Sequence, residues 1–140
     1  MKKLNILLIG GTKDASNITK HIKEKYDSYI LTTTTTEYGS KLAIESGSDD
    51  TIAKPLLKDE FITLIETNEF NLLIDATHPY ASHITQTTVS LSKLFNITYI
   101  RFERPPSNLD NVDTSRVHEV TSLDEAGKLI ASDFTSGNVL

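Results

Sequence analysis

The 140-residue sequence has no cysteine. This removes thiolate catalysis, cysteine-ligated zinc, iron–sulfur ligation and disulfide staples, and it suits a reducing compartment, with the cytoplasm as the expected location. Excess positive charge is missing too. Fourteen Lys and Arg against nineteen Asp and Glu give a net charge of −5, so no nucleic-acid partner is expected, because such binding rests on many cationic contacts to phosphate. Any anionic ligand must be met locally, by a few well-placed Arg residues or by free backbone N–H groups. Long apolar runs are also lacking. Leu4 to Ile9 is six residues long and interrupted by Asn5, short of a signal peptide's core and far short of the roughly 20 residues that cross a bilayer. It reads as a first strand, and no membrane partner is expected.

What is present fits an ordinary globular chain. With 38% hydrophobic and 24% charged residues, it can bury a core without a metal or disulfide to hold it. Leu4 to Ile9 has the nearly unbroken apolar character of a central strand covered on both faces. Gly10-Gly11 ends it, and Ala15, Ile18, Ile22 and Tyr26 then recur at helical spacing, with Thr12 placed to cap the helix and Asp14 in its first turn. Tyr29 to about Thr33 reads as a second strand, and Thr32 to Thr36 carry it into a loop before Gly39. A helix over Ser40 to Ser46, a short strand at Thr51 to Ala53 and a third helix marked by Leu57, Phe61, Leu64 and Ile65 follow. Asn71 to Ala76 repeats the first strand's pattern. A fourth helix within Tyr80 to Phe95 has Ile84, Val89, Leu91, Leu94 and Phe95 as its expected packing face, and Ile97 to Phe102 is the last clear strand. This alternation predicts an α/β fold, a Rossmann-like doubly wound parallel sheet with right-handed crossovers.

The expected organisation is a Rossmann-like domain over residues 1–106, a polar, turn-rich linker over 107–115, and the beginning of a second α/β domain over 116–140. That second unit holds Val117 to Val120, a helix from Ser122 to Ala131, and Val139-Leu140.

Ligands of doubly wound sheets bind outside the carboxyl ends of the strands, which selects four segments. Gly10-Gly11-Thr12-Lys13-Asp14 joins a buried strand to a helix N-terminus, where small residues let a phosphate approach unpaired amides. The segment matches neither G-x-G-x-x-G nor the P-loop, and the glycines equally suit a tight turn. Thr33, Thr34, Thr35 and Thr36 could present hydroxyls to a ribose phosphate, although Thr also favours strands for its own sake. Glu37 lies a few positions beyond the place of the acidic residue in NAD-preferring domains. Asp75-Ala76-Thr77-His78-Pro79-Tyr80 concentrates a carboxylate, a hydroxyl, an imidazole and a phenol at one strand end. His78 can exchange a proton near neutral pH, or simply pack while Asp75 and Thr77 satisfy loop amides. His83 follows His78 by five residues with no acidic residue between them, so H-E-x-x-H is absent and no metal is assigned. Strand alternation puts Arg101 and Glu103 on one face, with Arg104 just beyond. A guanidinium fork suits a carboxylate ligand, and an Arg101–Glu103–Arg104 surface network is the plainer alternative.

Taken in order, three of these segments resemble the precorrin-6A reductase family, including its cobalt-precorrin members. Ile9-Gly10-Gly11-Thr12-Lys13-Asp14-Ala15 is similar to its strand-GGT-x-(E/D)-A opening. Asp75-Ala76-Thr77-His78-Pro79-Tyr80-Ala81 is similar to its DATHP-aromatic-A motif, and Tyr99 to Pro105, with Ile100 interposed, to its closing aromatic-Arg-hydrophobic-Glu-Arg-Pro pattern. The Thr36-Glu37-Tyr38-Gly39 segment also looks like that of some members. The resemblance implies hydride transfer from NADPH to a conjugated C=N/C=C system of a polycarboxylated tetrapyrrole, with a proton added beside it, in cobalamin biosynthesis. It implies Gly10, Gly11 and Thr12 at the dinucleotide phosphates, the Thr loop near the adenosine ribose, and Asp75 to Tyr80 around nicotinamide and substrate. His78 is then the proton-donor candidate, and Arg101 and Arg104, chosen by charge, are the candidates for substrate carboxylates. Asp14 stands where Glu is commoner, and Tyr80 where Phe is commoner.

The family also implies a second α/β domain of comparable size, so the chain reads as a fragment with cofactor docking a safer expectation than turnover. Oligomeric state has no signal in the sequence. One rival is a non-catalytic nucleotide-sensing module on the same sheet. Another, a short-chain dehydrogenase acting on a sugar nucleotide, lacks its Tyr-x-x-x-Lys pair, since Ile84 stands four residues after Tyr80.

Overall fold

The computed structural model describes residues 3–105, 110, 113–133 and 136. The chain divides into two compact units, Met1–Arg104 and Pro105–Leu140. In the first, the order is β1 (Leu4–Ile9), α1 (Lys13–Lys25), β2 (Ser28–Thr34), α2 (Glu37–Glu45), β3 (Asp50–Ala53), α3 (Lys58–Thr67), β4 (Leu72–Asp75), α4 (Ser82–Leu94) and β5 (Thr98–Arg101). The strands form one sheet in the order β3-β2-β1-β4-β5, and every neighbouring pair is parallel.

β1 is central because both of its faces are apolar. Strand alternation sends Leu7 and Ile9 to one face, where they join Phe61, Ile65 and Leu91 from α3 and α4. It sends Ile6 and Leu8 to the other, against Ala15, Ile18 and Ile22 of α1. Helices therefore cover both sides, as the doubly wound reading requires. Asn5, the polar interruption, serves the amino-terminal end of the sheet. Its side-chain amide donates to the Glu69 carbonyl at 2.9 Å, and its backbone N–H donates to Asn71 Oδ1 at 3.1 Å.

Two elements differ from the sequence reading. α2 begins at Glu37, three residues earlier than expected, because Thr36 is its N-cap: Thr36 Oγ1 accepts the Gly39 amide at 3.1 Å. The Thr run is thus divided, with Thr32 to Thr34 in β2, Thr35 in the connection and Thr36 at the cap, and Gly39 lies inside the helix. On α4, Leu94 is 68% exposed while Thr88 is fully buried and Ser92 nearly so. Their hydroxyls donate back to the helix, Thr88 to the Ile84 carbonyl at 3.0 Å and Ser92 to that of Val89 at 2.8 Å. With their donors satisfied, these short side chains pack where an apolar residue was expected.

The second unit contains a 3₁₀ turn (Thr114–Arg116) and α5 (Leu123–Asp133). Val117 to Val120 is not in a strand. Val139-Leu140 lie outside the described residues.

Candidate functional site

Parallel pairing fixes which loops meet. Ile9 is in register with Thr33 on one side and Asp75 on the other, so the residues after β1, β2 and β4 leave the sheet side by side. The strand order reverses between β1 and β4, and the crevice there is where α/β sheets bind ligands. A cleft of about 490 Å³ opens at these ends, lined by Gly10 to Thr12, Thr33 to Thr36, Thr77 and His78.

Two glycines allow the loops to close together. Gly10 has φ +143°, and a Cβ there would lie 2.8 Å from the Ala76 carbonyl oxygen, so only glycine admits the β4 loop this near to β1. At Gly11 a Cβ would meet Thr34 Cβ at 3.2 Å and the Gly39 Cα at 3.4 Å. The starts of α1 and α2 are thereby drawn together beside the end of β2. Thr12 is the α1 cap, as expected. Its hydroxyl accepts the Ala15 amide and donates to the Ala76 carbonyl, each at 3.3 Å, tying the β1 loop to the β4 loop. The cap does not reach the amides of Lys13 and Asp14, which stand ahead of the first intrahelical acceptor and have no carbonyl of their own helix to bond. Thr36 leaves the first amides of α2 in the same condition.

Asp75 is the polar centre behind the cleft. It has no exposed surface and accepts five hydrogen bonds. Oδ1 takes the Thr77 amide (3.0 Å), the Thr77 hydroxyl (2.7 Å) and Arg101 Nη1 (2.8 Å), and Oδ2 takes Thr85 (2.8 Å) and the Tyr99 hydroxyl (2.9 Å). Burial pushes its pKa up, but the hydroxyl and amide of Thr77 with Thr85 and Tyr99 overcome this and hold it below the usual carboxylate value. The same pair acts oppositely on Tyr99, whose hydroxyl is pushed up to about 12, first by burial and then by Asp75. The carboxylate thus fixes the backbone of Thr77 and shapes the loop that carries His78.

Arg101 is also turned inward. Besides Asp75, its guanidinium donates to Thr77 Oγ1 at 2.9 Å and to Glu103 at 3.2 Å, and its side chain is only 17% exposed. Arg104 pairs with Asp14 at 2.6 Å and is 66% exposed. Of the Arg101–Glu103–Arg104 network that was the plainer alternative, Arg101–Glu103 forms, while Arg104 joins the start of α1 instead. His78 and Tyr80 are neighbours, with ring centroids 5.0 Å apart. The Tyr80 amide donates to His78 Nδ1 at 3.3 Å, so a neutral imidazole carries its proton on Nε2. Lys13, Asp14, Asp75, Ala76, Tyr80, Arg101 and Arg104 do not line the cleft.

Sequence reasoning missed one wall. Lys54, Pro55 and Leu56, at the carboxyl end of β3, line the cleft, as do His83 and Ile84 at the start of α4. The rule that selected the other loops would have found Lys54 had the four-residue β3 been treated as a member of the sheet. Among the described residues no cluster of three or more His, Asp or Glu is placed to hold a metal ion, and no helix is long and apolar enough to cross a membrane.

The strand order and the cleft at its switch point define a Rossmann-like α/β domain. Residues 5–139 match the model of the precorrin-6x reductase CbiJ/CobK family. The cobalt-precorrin-6A reductase of Methanococcus maripaludis is 39% identical over 127 residues, 90% of this chain and 49% of that protein. That of Methanocaldococcus jannaschii is 37% identical over 126 residues, with the same coverage. The solved CobK precorrin-6A reductase superposes with a TM-score of 0.61 at 18% identity, covering 77% of this chain and 42% of that one. The chain belongs to the precorrin-6x reductase family. It spans about half the length of the curated relatives it matches.

Proposed function

We propose that this chain is the cofactor-binding half of an NADPH-dependent oxidoreductase that reduces precorrin-6A or cobalt-precorrin-6A to its 6B form in cobalamin biosynthesis. The observation that carries this reading is the shared cleft: Gly10 to Thr12, Thr33 to Thr36, and Thr77 with His78 open onto one space at the switch point of the sheet. The relatives' names supply the substrate, cobalt-precorrin-6A, which the family resemblance takes to be a polycarboxylated tetrapyrrole. The match over residues 5–139 supports reading 116–140 as the opening of a second α/β domain after a linker at 107–115.

The donor set fits a dinucleotide. Two converging helix starts offer unpaired amides and the positive ends of two dipoles, which suit a diphosphate at Gly10 to Asp14. Hydroxyls of Thr35 and Thr36 suit a ribose beside them. When bound, NADPH supplies a hydride; the chain's part is to hold it, keep the β4 loop in place and deliver a proton. Asp75, Ala76 and Thr77 act by setting that loop, and Arg101 is a positioning residue for it through Asp75 and Thr77. His78, in its protonated imidazolium form, is the group we assign to proton delivery, which returns it to the neutral imidazole. Tyr80, 91% exposed, offers a flat surface to the macrocycle, and Arg104 a cation to one of its carboxylates.

Two measurements test this reading. In crystals soaked with NADP, the diphosphate is expected beside Gly10 to Asp14; density elsewhere overturns the cofactor assignment. In the complete enzyme, His78→Ala is expected to lower turnover by about a hundredfold, as loss of a general acid does, while NADPH affinity changes less than about twofold. Full turnover in that variant removes His78 from the mechanism.

A further inference from the structure

Two imidazoles open onto the cleft, and the function proposed above uses one of them. His83, five residues beyond His78, also lines it. One carboxylate secures both segments. Asp75 Oδ1 accepts the amide of Thr77, the residue before His78, at 3.0 Å, and Oδ2 accepts the hydroxyl of Thr85, two residues after His83, at 2.8 Å. The segments are also joined directly, since the Ala81 amide donates to the His78 carbonyl at 2.9 Å just before α4 begins. Helical side chains lean toward the amino end of their helix. His83, the second residue of α4, therefore leans past the helix start toward the β4 loop.

The two rings differ in what they already hold. His78 lies against Tyr80 and accepts its amide on Nδ1, and proton delivery engages it further. His83 is exposed. Its backbone carbonyl accepts the Thr87 hydroxyl, but among the described residues its ring has no hydrogen bond, ion pair or ring contact. A neutral imidazole presents one nitrogen lone pair, and binding a metal is a common use of it. Among the described residues no cluster of three or more His, Asp or Glu is placed to hold an ion, so a free metal finds too few ligands here. A metal that arrives inside a tetrapyrrole is different. Its ring nitrogens already surround it, and it needs only an axial ligand, the part that a proximal histidine plays toward haem iron. Both relatives described above are named for a cobalt-bearing substrate.

We infer that His83 is an axial ligand to the cobalt of the tetrapyrrole, through which the enzyme prefers the cobalt-bearing substrate to the metal-free one. This rests on the tetrapyrrole-reducing reading of the cleft. The neutral imidazole donates its lone pair into the open axial position, any water held there leaves, and the cobalt keeps its oxidation state. The bond ties the macrocycle to the wall of the cleft that carries His78, and leaves His78 itself free for the proton.

The test uses the complete enzyme, kept anaerobic in phosphate buffer, with cobalt(II) uroporphyrin and metal-free uroporphyrin as probes. Both are polycarboxylated tetrapyrroles, and they differ in the metal alone. In electron paramagnetic resonance spectra, bound cobalt(II) uroporphyrin is expected to show superhyperfine splitting from an axial nitrogen, lost in His83→Ala and kept in His78→Ala. By calorimetry, His83→Ala is expected to weaken the cobalt form by about tenfold or more, at least what loss of a partner to a metal ligand brings. The metal-free form and NADPH are expected to change less than about twofold, which also shows that the variant is folded. Splitting that survives in His83→Ala, or is absent from the wild type with the porphyrin bound, overturns this inference alone, as does an equal loss for both porphyrins. If the wild type binds neither porphyrin, the tetrapyrrole reading falls and this inference with it.

Discussion

At the scale of single residues, Asp75 and Tyr99 set the pH range in which the β4 loop is held. The folded state keeps Asp75 ionised below its ordinary pKa, so its contribution is complete above about pH 4 and is lost as pH falls through the depressed value. Tyr99 works in the opposite direction. Its hydroxyl stays protonated up to about 12, so its contribution is complete below pH ~10, the unfolded value, and is lost as pH rises through the folded one. Urea unfolding of the wild type should therefore show stability falling between about pH 10 and pH 12, and Tyr99→Phe should make that slope shallower, the remainder including Tyr29, whose hydroxyl is also raised by burial and by Asp50 and Asp49. An unchanged slope in the variant would separate Tyr99 from the alkaline transition. Of this cluster the sequence displayed Asp75, Thr77 and Arg101 but not their union. Arg101 reads as a free fork on a strand, and nothing local announces that a carboxylate 26 positions earlier takes one of its bonds. Arg104 is a longer case, its partner Asp14 lying 90 positions away.

Among the elements, most strands and helices were legible because hydrophobic spacing changes period at each boundary. β1 was found at its full extent, Leu4 to Ile9. α2 was not, because a run of identical β-branched hydroxyl residues holds two contrary instructions. Thr favours an extended strand and equally favours the N-cap of a helix, and only the Gly39 amide bonded to Thr36 reveals which Thr makes the change. Thr36→Ala should accordingly lower stability by about 1 kcal/mol, whereas Thr35→Ala, exposed in the connection, should stay within about 0.5 kcal/mol. Chemical denaturation compares the two, and equal effects would refute the division of labour along the run. The buried Thr88 and Ser92 of α4 escaped for a related reason. A hydropathy pattern scores their hydroxyls as polar, and the back-bonding that conceals those hydroxyls belongs to the folded helix.

For the molecule as a whole, β1 to β5, α1 to α4 and both apolar clusters lie within the unit Met1–Arg104. A chain ending after Pro105 should then unfold in one cooperative step, its thermal midpoint within about 4 °C of the 140-residue chain's, the shift that ~1 kcal/mol makes in a domain of this size. A broad or multiphasic melt by circular dichroism would show that later residues are needed to complete the fold. The Rossmann-like architecture could be read from alternation alone, and the DATHP segment pointed to the family. The β3 wall of the cleft needed the sheet order, which places a short strand beside β2.

The central place of β1 has a consequence in time. Its two partners are β2, which follows within about 20 residues, and β4, whose Leu72 pairs with Ile6. Synthesis at roughly 5–20 residues per second separates Ile6 from Leu72 by about 3–13 s. During that interval β1, made before the other four strands of its sheet, has one edge without its native neighbour. Nascent Leu4 to Ile9 is thus the segment most in need of shielding on the ribosome, and the open β1 edge is where a misfolded chain would first pair with another copy of itself.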